Sequence, residues 1–310
     1  MKIVFMGTPD FAAGILEDII KAGHEIALVV TKEDKPRGRG KEVTFTPVKE
    51  VALKHNLPVF QPHRIKDAEA IETLKKYEAD VFVVVAYGQI LSREILDMPK
   101  KICVNIHASL LPKYRGAAPI QWAVIDGEQY TGVTTMRMED GIDTGDIIET
   151  ITYELKSDET GGSLFDKLME LGGKLIVSTL EKIENGTATF TKQDDSNSTY
   201  AKMLNKKLGD IDFSMDAVSI ERLIRGLNPW PSAYTSLNGR NLKIWKAVTK
   251  EDEYEGQPGE IVYVSEDEMY IKTGKGVLGI IELQLEGKKR MYIQDFLHGN
   301  KIEKGIVLGK

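Results

Sequence analysis

Residues 81–86, with the sequence VFVVVA, decide the fold class of this chain. A continuous run of apolar, mostly β-branched residues is typical of a strand buried on both faces of a parallel sheet. Outward from this run, the sequence predicts strands at 2–6, 25–31 and 59–60 and helices at 11–22, with Asp10 as a cap, 47–55 and 67–77. Strands that alternate with helices indicate βαβ units. We therefore expect an α/β domain with an open, mostly parallel, Rossmann-like sheet.

The last third of the chain has a different pattern, in which short strands are joined by tight turns. Asn238-Gly239 separates two strand-like segments, 234–237 and 242–245, and this dipeptide is a strong hairpin signal. Further strand-like segments follow at 261–264, 269–273 and 278–285. About five strands in roughly 100 residues are typical of a small barrel, so we expect a C-terminal OB-fold-like β-barrel.

A polar segment connects these two patterns. Residues 193–199, with the sequence QDDSNST, are poor in core-forming side chains and are typical of a surface connection. We therefore expect an N-terminal domain over residues 1–186, a linker over 187–205 and a C-terminal domain over 206–310.

Composition limits the class of protein. The chain has 310 residues, a formal net charge of -6 and one cysteine. The negative charge argues against a protein that coats nucleic acid non-specifically, and one cysteine excludes an internal disulfide framework. No apolar run reaches the roughly 20 residues of a transmembrane helix. We expect a cytoplasmic protein, and nothing in the sequence requires more than a monomer.

Candidate reactive groups lie at the end of a further predicted strand. Side chains alternate along a strand, so Asn105 and His107 point the same way near its carboxyl end. Ligands of open α/β sheets bind at such ends, and acyl transfer needs hydrogen-bond donors aimed at a developing oxyanion. The alternative is that both are buried, satisfied polar residues. The residues alone leave these two interpretations open.

A carboxylate near His107 would orient the imidazole and stabilise its protonated form. Residues 140–146, with the sequence DGIDTGD, are a candidate source of this carboxylate, although they could also be a turn alone.

The first strand-to-helix turn disfavours a dinucleotide site. Such a site needs G-x-G-x-x-G, so that glycine lets the backbone approach the pyrophosphate. Only Gly7 and Gly14 are present here, and Pro9 removes an amide donor. An NAD-dependent enzyme is therefore disfavoured, although the predicted fold is similar to one.

Residues 32–41, with the sequence KEDKPRGRGK, contain five basic side chains. One interpretation is a mobile basic loop that contacts a phosphodiester backbone, and the other is a solvated charged loop. Its position after the second strand, on the ligand side of the sheet, favours the first interpretation. A second basic cluster, Lys288-Lys289-Arg290, could help a barrel to bind nucleic acid.

Together these motifs resemble those of the methionyl-tRNA formyltransferases. The resemblance runs through the whole chain and includes MGTPDFA at 6–12, DKPRGRGK at 34–41, NIHASLLP at 105–112, YRGAAPIQ at 114–121, DGIDTGD at 140–146, TYA at 199–201 and QLEGKKRM at 284–291. The wider folate-dependent formyltransferases share the Asn-x-His and Ser-Leu-Leu-Pro core. The basic loop and the C-terminal barrel are typical of the tRNA enzymes.

The resemblance implies a reaction and its catalytic residues. The formyl group of 10-formyltetrahydrofolate would pass to the α-amino group of methionyl-initiator tRNA, giving N-formylmethionyl-tRNA for translation initiation. The resemblance implies that Asn105, His107 and Asp143 are catalytic. We expect no metal, since hydrogen-bond donors and an imidazolium can do the work of a Lewis acid. It also implies an N-terminal formyltransferase domain and a C-terminal tRNA-binding domain.

The resemblance also implies two sets of binding residues. Folate would bind around Ser109, Leu110, Leu111 and Pro112. The tRNA acceptor stem would contact the basic loop, through Lys35, Arg37, Arg39 and Lys41. Two alternatives stay open: a formyltransferase for a small amine, such as a sugar nucleotide or glycinamide ribotide, which would not need the loop or the barrel, and a non-catalytic tRNA-binding protein, which predicts loss of a catalytic residue.

Overall fold

The computed structural model describes residues 1–37, 42–251 and 253–309, which fall into two units. The first unit contains Met1–Pro119, Tyr130–Glu154 and Phe165–Ala201. The second unit contains Ile120–Gln129, Leu155–Leu164 and Lys202–Lys310. The domain limits expected above, at 1–186, 187–205 and 206–310, stay a prediction.

The first unit is built on short strands. In chain order these are β1 (Lys2–Gly7), β2 (Glu25–Val30), β3 (Lys35–Arg37), β4 (Glu42–Thr44), β5 (Val59–Phe60), β6 (Val81–Val85), β7 (Ile102–His107), β8 (Arg115–Gly116), β9 (Tyr130–Arg137), β10 (Ile147–Glu154) and β11 (Tyr200–Ala201). The helices up to residue 184 are α1 (Asp10–Lys21), α2 (Pro47–Lys54), α3 (Ala68–Lys75), α4 (Arg93–Leu96), α5 (Pro119–Ile125) and α6 (Gly161–Glu184).

Seven of these strands form one sheet, in the order β10-β9-β7-β6-β1-β2-β5. The pairs β1–β2, β1–β6, β6–β7 and β2–β5 are parallel, whereas β9 is antiparallel to β7 and β10. Every residue of β6 is buried, as expected for a central strand covered on both faces. The prediction of a mostly parallel, Rossmann-like sheet is confirmed.

Local sequence explains where α2 begins, but the prediction that Asp10 caps α1 was wrong. The Thr46 hydroxyl accepts a hydrogen bond from the Lys49 amide (3.2 Å), and Pro47 occupies the first turn of α2. Helix α1 begins at Asp10, and Pro9 is its N-cap residue with no side-chain hydrogen bond. Asp10 therefore contributes its negative charge to the first turn and not a capping hydrogen bond.

The register of the sheet brings the end of β7 between two neighbouring strands. Asn105 pairs with Val84 of β6 on one side and with Met136 of β9 on the other. His107 lies opposite Thr134 of β9. Asn105 is therefore held by backbone pairing on both sides of its strand, and His107 is held on the β9 side.

The C-terminal part of the second unit is an antiparallel β-sheet that packs with two helices. In chain order its later elements are α7 (Ala217–Gly226), β12 (Ala233–Leu237), β13 (Arg240–Lys250), β14 (Ile261–Val264), β15 (Met269–Lys272), β16 (Val277–Leu285), β17 (Met291–Tyr292) and α8 (Ile293–Gly299). The strand order is β12-β13-β16-β15-β14, and β17 pairs with β16. Asn238 and Gly239 both have positive φ angles, 51° and 73°, as a two-residue hairpin turn requires. The predicted C-terminal β-domain is confirmed.

The basic loop is only partly described. Strand β3 pairs antiparallel with β4, so the ends of the loop form a short ladder. Arg39 and Lys41 lie outside the described residues. Among the residues that the structure does describe, no helix is long and apolar enough to cross a membrane.

Candidate active site at the end of β7

His107 is buried and has a defined tautomer. Its Nε2 lies 2.8 Å from the carbonyl oxygen of Tyr114. A carbonyl oxygen only accepts, so Nε2 carries the hydrogen and donates it. The other ring nitrogen, Nδ1, lies 3.6 Å from Asp143 Oδ2. Nδ1 is therefore the ring atom left to exchange a proton with a substrate or with Asp143.

Asp143 is fixed by a backbone donor and not by the histidine. Its Oδ2 accepts a hydrogen bond of 2.8 Å from the Gly116 amide. The separation of 3.6 Å from His107 is an ion-pair distance and is longer than a hydrogen bond. Gly116 has a φ of 108°, and a Cβ atom there would lie 2.9 Å from the Ala201 carbonyl oxygen, so this position favours glycine.

Asn105 is half-buried on the same strand as His107. No residue that the structure describes donates a hydrogen bond to its side chain or accepts one from it. An amide carries two N–H donors and one acceptor oxygen, and such groups normally find partners when they leave water. The Asn105 amide is therefore available to a bound molecule. Thus the structure brings together the three residues that the resemblance implied as catalytic.

The segment after His107 is held by internal hydrogen bonds. Ser109 is fully buried, and its hydroxyl donates to the Lys113 carbonyl oxygen (2.6 Å). The Thr134 hydroxyl donates to the Ser109 carbonyl oxygen (2.7 Å) and accepts from the Leu111 amide (3.3 Å). Leu111 is buried, whereas Leu110 and Pro112 are half-buried. The folate contacts implied for residues 109–112 stay a prediction, which these buried side chains do not test.

A pocket that the sequence did not single out lies next to Asp143. Its volume is about 160 Å³. It is lined by Gln89, Ile90, Leu91, Leu96 and residues 136–145. Ile90 and Ile142 are 82% and 63% exposed, and large apolar side chains exposed beside a pocket are typical of a ligand site. One sequence signal could have indicated this pocket. Residues 89–91 follow the carboxyl end of the buried strand β6, and ligands of open α/β sheets bind at such ends.

The described part of the chain does not show the four candidate tRNA-binding residues at this site. Lys35 is exposed on β3. The backbone of Arg37 ends β3, and Arg39 and Lys41 lie outside the described residues. A role for these four cations stays a prediction.

Gln193 is a site residue that the sequence placed in a linker. It is buried, and its side-chain amide donates to the carbonyl oxygens of Asp143 (2.8 Å) and Gly145 (2.7 Å). No sequence signal marks it, because it opens a polar stretch that is typical of a surface connection.

Two family models match the chain. The formyl transferase model matches residues 1–180, and the model of the formyl transferase C-terminal domain matches residues 203–301.

Two curated relatives carry the same name. A methionyl-tRNA formyltransferase from Agathobacter rectalis is 58% identical over 307 residues, which cover 98% of each chain. A methionyl-tRNA formyltransferase from Lachnospira eligens is 55% identical over 315 residues, which cover 100% of each chain.

Among solved structures, the sugar 3N-formyl transferase WlaRD, determined in the presence of dTDP and 5-N-formyl-THF, is similar with a TM-score of 0.68. Its identity is 23%, over 93% of this chain and 99% of that chain. At this identity the likeness shows a shared fold.

Proposed function

We propose the function of this chain from its family: it belongs to the formyl transferases, and it transfers the formyl group of 10-formyltetrahydrofolate to the α-amino group of methionyl-initiator tRNA. The product is N-formylmethionyl-tRNA, which starts translation. Full-length relatives more than half identical to this chain, all named for this reaction, support the acceptor. We propose further that the enzyme acts without a metal ion, as a cytoplasmic monomer.

The observation that carries the proposal is the free amide of Asn105 beside the His107–Asp143 pair. 10-Formyltetrahydrofolate supplies the formyl group. Negative charge develops on the formyl oxygen when the amine attacks, and the Asn105 Nδ2–H donates a hydrogen bond to that oxygen. The backbone that carries this amide is held by pairing on both sides of β7, which limits the reorganisation needed during the reaction.

His107 and Asp143 handle the proton and the charge. Because Nε2 of His107 donates to Tyr114, the ring presents Nδ1 to the reacting groups. A protonated Nδ1 donates to the developing oxyanion, and the carboxylate of Asp143, 3.6 Å away, stabilises the imidazolium charge. The carboxylate also accepts the proton that the amine loses, directly or through water. When the oxyanion collapses, the bond between the formyl carbon and N10 breaks, and N10 takes up that proton as tetrahydrofolate leaves.

The pocket beside Asp143 suits the flat ring system of a folate. Ile90, Leu91 and Ile142 offer apolar contact, and the backbone of residues 136–145 offers hydrogen-bonding groups. We propose that this pocket holds the folate ring, while residues 109–112 form the other part of the folate site.

A surface of the second unit suits the tRNA. On β13, Leu242 and Ile244 enter the core, so Lys243 and Trp245 lie on the opposite face. The Lys243 ammonium and the Arg290 guanidinium lie 5.3 Å and 5.0 Å from the Trp245 ring. We name Lys243, Trp245 and Arg290 the cation–aromatic surface.

Neighbouring side chains extend this surface and hold its geometry. The Trp245 indole donates to Gln284 Oε1 (3.3 Å), and Arg290 Nε donates to Glu282 Oε2 (2.6 Å). Lys288 and Lys289 are exposed on the adjoining turn. Trp245 is half-buried, and cations beside an aromatic ring at a protein surface are typical of sites that contact nucleic-acid phosphates and bases.

The acceptor is tested with three amines in parallel. Purified enzyme and 10-formyltetrahydrofolate are mixed with methionyl-initiator tRNA, free methionine or an amino-sugar nucleotide, and formylated product is measured. We expect formylation of the charged tRNA alone. Transfer to the sugar nucleotide and not to the tRNA would keep the catalytic assignment and overturn the acceptor.

The tRNA surface is tested with charge-removing variants. Arg290→Ala or Lys243→Ala should raise the KM for methionyl-tRNA several-fold and reduce the salt slope of binding by about 1, because each loses a phosphate contact. The KM for folate should not change. Lys304→Ala is the matched control: the neighbouring Gly305 amide bonds to Ile261 on β14, at the edge of the sheet two strands from β16. Equal effects of all three variants would contradict the proposal.

A further inference from the structure

We propose that Gln193 is a positioning residue, which holds the loop at residues 143–145 in its catalytic geometry through a buried bridge to Arg115. This inference rests on the proposed role of Asp143. It assigns a part in the reaction to a segment that the sequence placed between the domains.

The side chain of Gln193 uses all of its hydrogen-bonding capacity. Its Nε2 donates to the carbonyl oxygens of Asp143 (2.8 Å) and Gly145 (2.7 Å). Its Oε1 accepts from Arg115 Nε (3.1 Å) and Nη2 (2.7 Å). An amide has two donors and two acceptor lone pairs, so Gln193 is fully satisfied. Glutamine is the residue type that both the carbonyls and the guanidinium require.

The bridge is almost closed to water. Gln193 is 6% exposed and Arg115 is 2% exposed. Arg115 also donates to Asp195 (2.7 Å), whose carboxylate lies at the surface. Loss of the Gln193 amide would leave two carbonyl oxygens without their donor, and Arg115 would lose the Gln193 acceptor but keep its bond to Asp195. Buried polar groups that lose their partners cost free energy.

The same short strand, β8, fixes Asp143 at two points. The Gly116 amide of β8 donates to the carboxylate of Asp143 (2.8 Å). Its neighbour Arg115 holds Gln193, which in turn holds the Asp143 backbone. Strand β8 is itself paired with β11, at Tyr200 and Ala201. Strand β8 therefore holds Asp143 twice. It holds the side chain directly, through the Gly116 amide, and the backbone indirectly, through Arg115 and Gln193.

Asp143 needs such support because its backbone is unusual. Its φ is 52°, in the left-handed region, which is uncommon outside glycine although Asp adopts it more readily than most residues. Strained backbone at a site persists only where the surroundings determine it. Gly145 is also constrained, since a Cβ atom there would lie 1.8 Å from the Arg137 carbonyl oxygen.

Two variants of Gln193 separate positioning from simple structural support. Gln193→Ala removes every hydrogen bond of the bridge. Gln193→Glu keeps an acceptor for Arg115 but replaces the donors to the loop with a carboxylate oxygen. Asn197→Ala is the matched control, because it removes an exposed amide on the same segment whose bond goes to Asp194 within its own turn.

The measurements are kcat, both KM values, the thermal midpoint and hydrogen exchange of amides 143–146. For Gln193→Glu we expect kcat to fall about 10- to 100-fold, since a misplacement of about 1 Å can cost that much. The KM for methionyl-tRNA should stay within about twofold of the wild type, and exchange at 143–146 should rise. The thermal midpoint should fall less than in Gln193→Ala, because the acceptor for Arg115 is kept. Gln193→Ala should lose both kcat and thermal stability, and Asn197→Ala should resemble the wild type.

Two results would overturn the inference. One is a Gln193→Glu enzyme with unchanged kcat and unchanged exchange at 143–146. The other is a loss of kcat that only follows a lowered thermal midpoint. A failure of the proposed acceptor would be recognised separately, in the wild-type enzyme, and the variants would then be assayed on the amine that the wild type accepts, with the exchange measurement unaffected.

Discussion

A single asparagine amide, that of Asn105, stands beside an ion pair at the end of a buried strand. Asn105 is half-buried, whereas His107, two residues further along the same strand, is 7% exposed. His107 is committed to Tyr114 through Nε2, so the amide and Nδ1 remain for chemistry. At the scale of single residues, hydrogen bonds within the protein therefore determine which polar atoms of the site are left to contact a substrate.

Replacing Asn105 tests whether its amide donates to the developing oxyanion. Asn105→Ala should lower kcat by about 10²–10³, the usual effect of removing one oxyanion donor. The thermal midpoint should change little, because the amide makes no hydrogen bond within the described part of the chain. Formylation rates at saturating substrates and thermal unfolding measure the two effects. Near-wild-type kcat would remove Asn105 from the mechanism.

The cysteine on the same strand should be inert. Cys103 is 2% exposed in the core under the sheet, and burial raises the pKa of its thiol above the ordinary value. The thiolate is the reactive form, so alkylation of the native enzyme should be slow. Mass spectrometry after N-ethylmaleimide treatment should find the label only on unfolded protein. Fast labelling of the active enzyme, with loss of activity, would place Cys103 within reach of solvent.

At the scale of elements, helix α7 shows how a local signal becomes stability. Asp216 caps it: one carboxylate oxygen accepts from the Ser219 amide (2.9 Å) and the other from the Ser219 hydroxyl (2.6 Å). These bonds, from the hydroxyl first and then the amide, hold the pKa of Asp216 below its usual 3.8. Ile220 and Ile224 of the helix pack in the core of the second unit.

Removal of the cap should loosen α7. Asp216→Ala should destabilise the helix by about 1 kcal/mol, the typical cost of losing an N-cap side chain. Hydrogen exchange of the α7 amides measures this, and Asp212→Ala is a control because its bonds stay within an exposed turn. Equal protection of α7 in the wild type and in Asp216→Ala would contradict the assigned cap.

The same cap should depend on pH with a definite sign. The folded-state pKa of Asp216 is lowered, so ionisation is favoured in the folded protein. The stabilisation is complete above the usual value of 3.8 and is lost as the pH falls through the lower folded-state pKa. The difference in exchange between the wild type and Asp216→Ala should therefore disappear at strongly acidic pH.

At the scale of the whole molecule, a protein with a net charge of -6 is proposed to bind a polyanion. Overall charge then opposes the encounter, and local cations must overcome it. The cation–aromatic surface and the loop at residues 32–41 are two places where cations collect.

This balance makes the reaction sensitive to salt. The kcat/KM for methionyl-tRNA should fall by about tenfold or more between about 50 and about 200 mM salt, because phosphate contacts release counterions. The KM for folate should respond far less, since a folate carries far fewer charges than a tRNA and so releases fewer counterions when it binds. Initial rates at several salt concentrations measure both. A flat profile for the tRNA would argue against phosphate contacts as a main source of affinity.

Much of the architecture could be predicted from local patterns. The run predicted at 81–86 forms the buried strand β6 over Val81–Val85, and the hairpin predicted at Asn238-Gly239 is present. Apolar runs and turn conformation are properties of neighbouring residues, so the sequence could predict them. The Asn105–His107 pair was also marked by its own sequence. The cap of α1 was misplaced because Pro9, and not Asp10, precedes the first helical turn.

The sequence by itself determined which groups could react, and the tertiary structure decided how those groups are held. The donor to the Asp143 carboxylate is 27 residues away, and the amide that holds its backbone is 50 residues away. The pocket walls come from residues 89–96 and 136–145. Periodicity and turn propensity act over a few residues, whereas these contacts form only when distant segments pack into one site. Gln193 therefore has the sequence of a linker and the environment of a core residue.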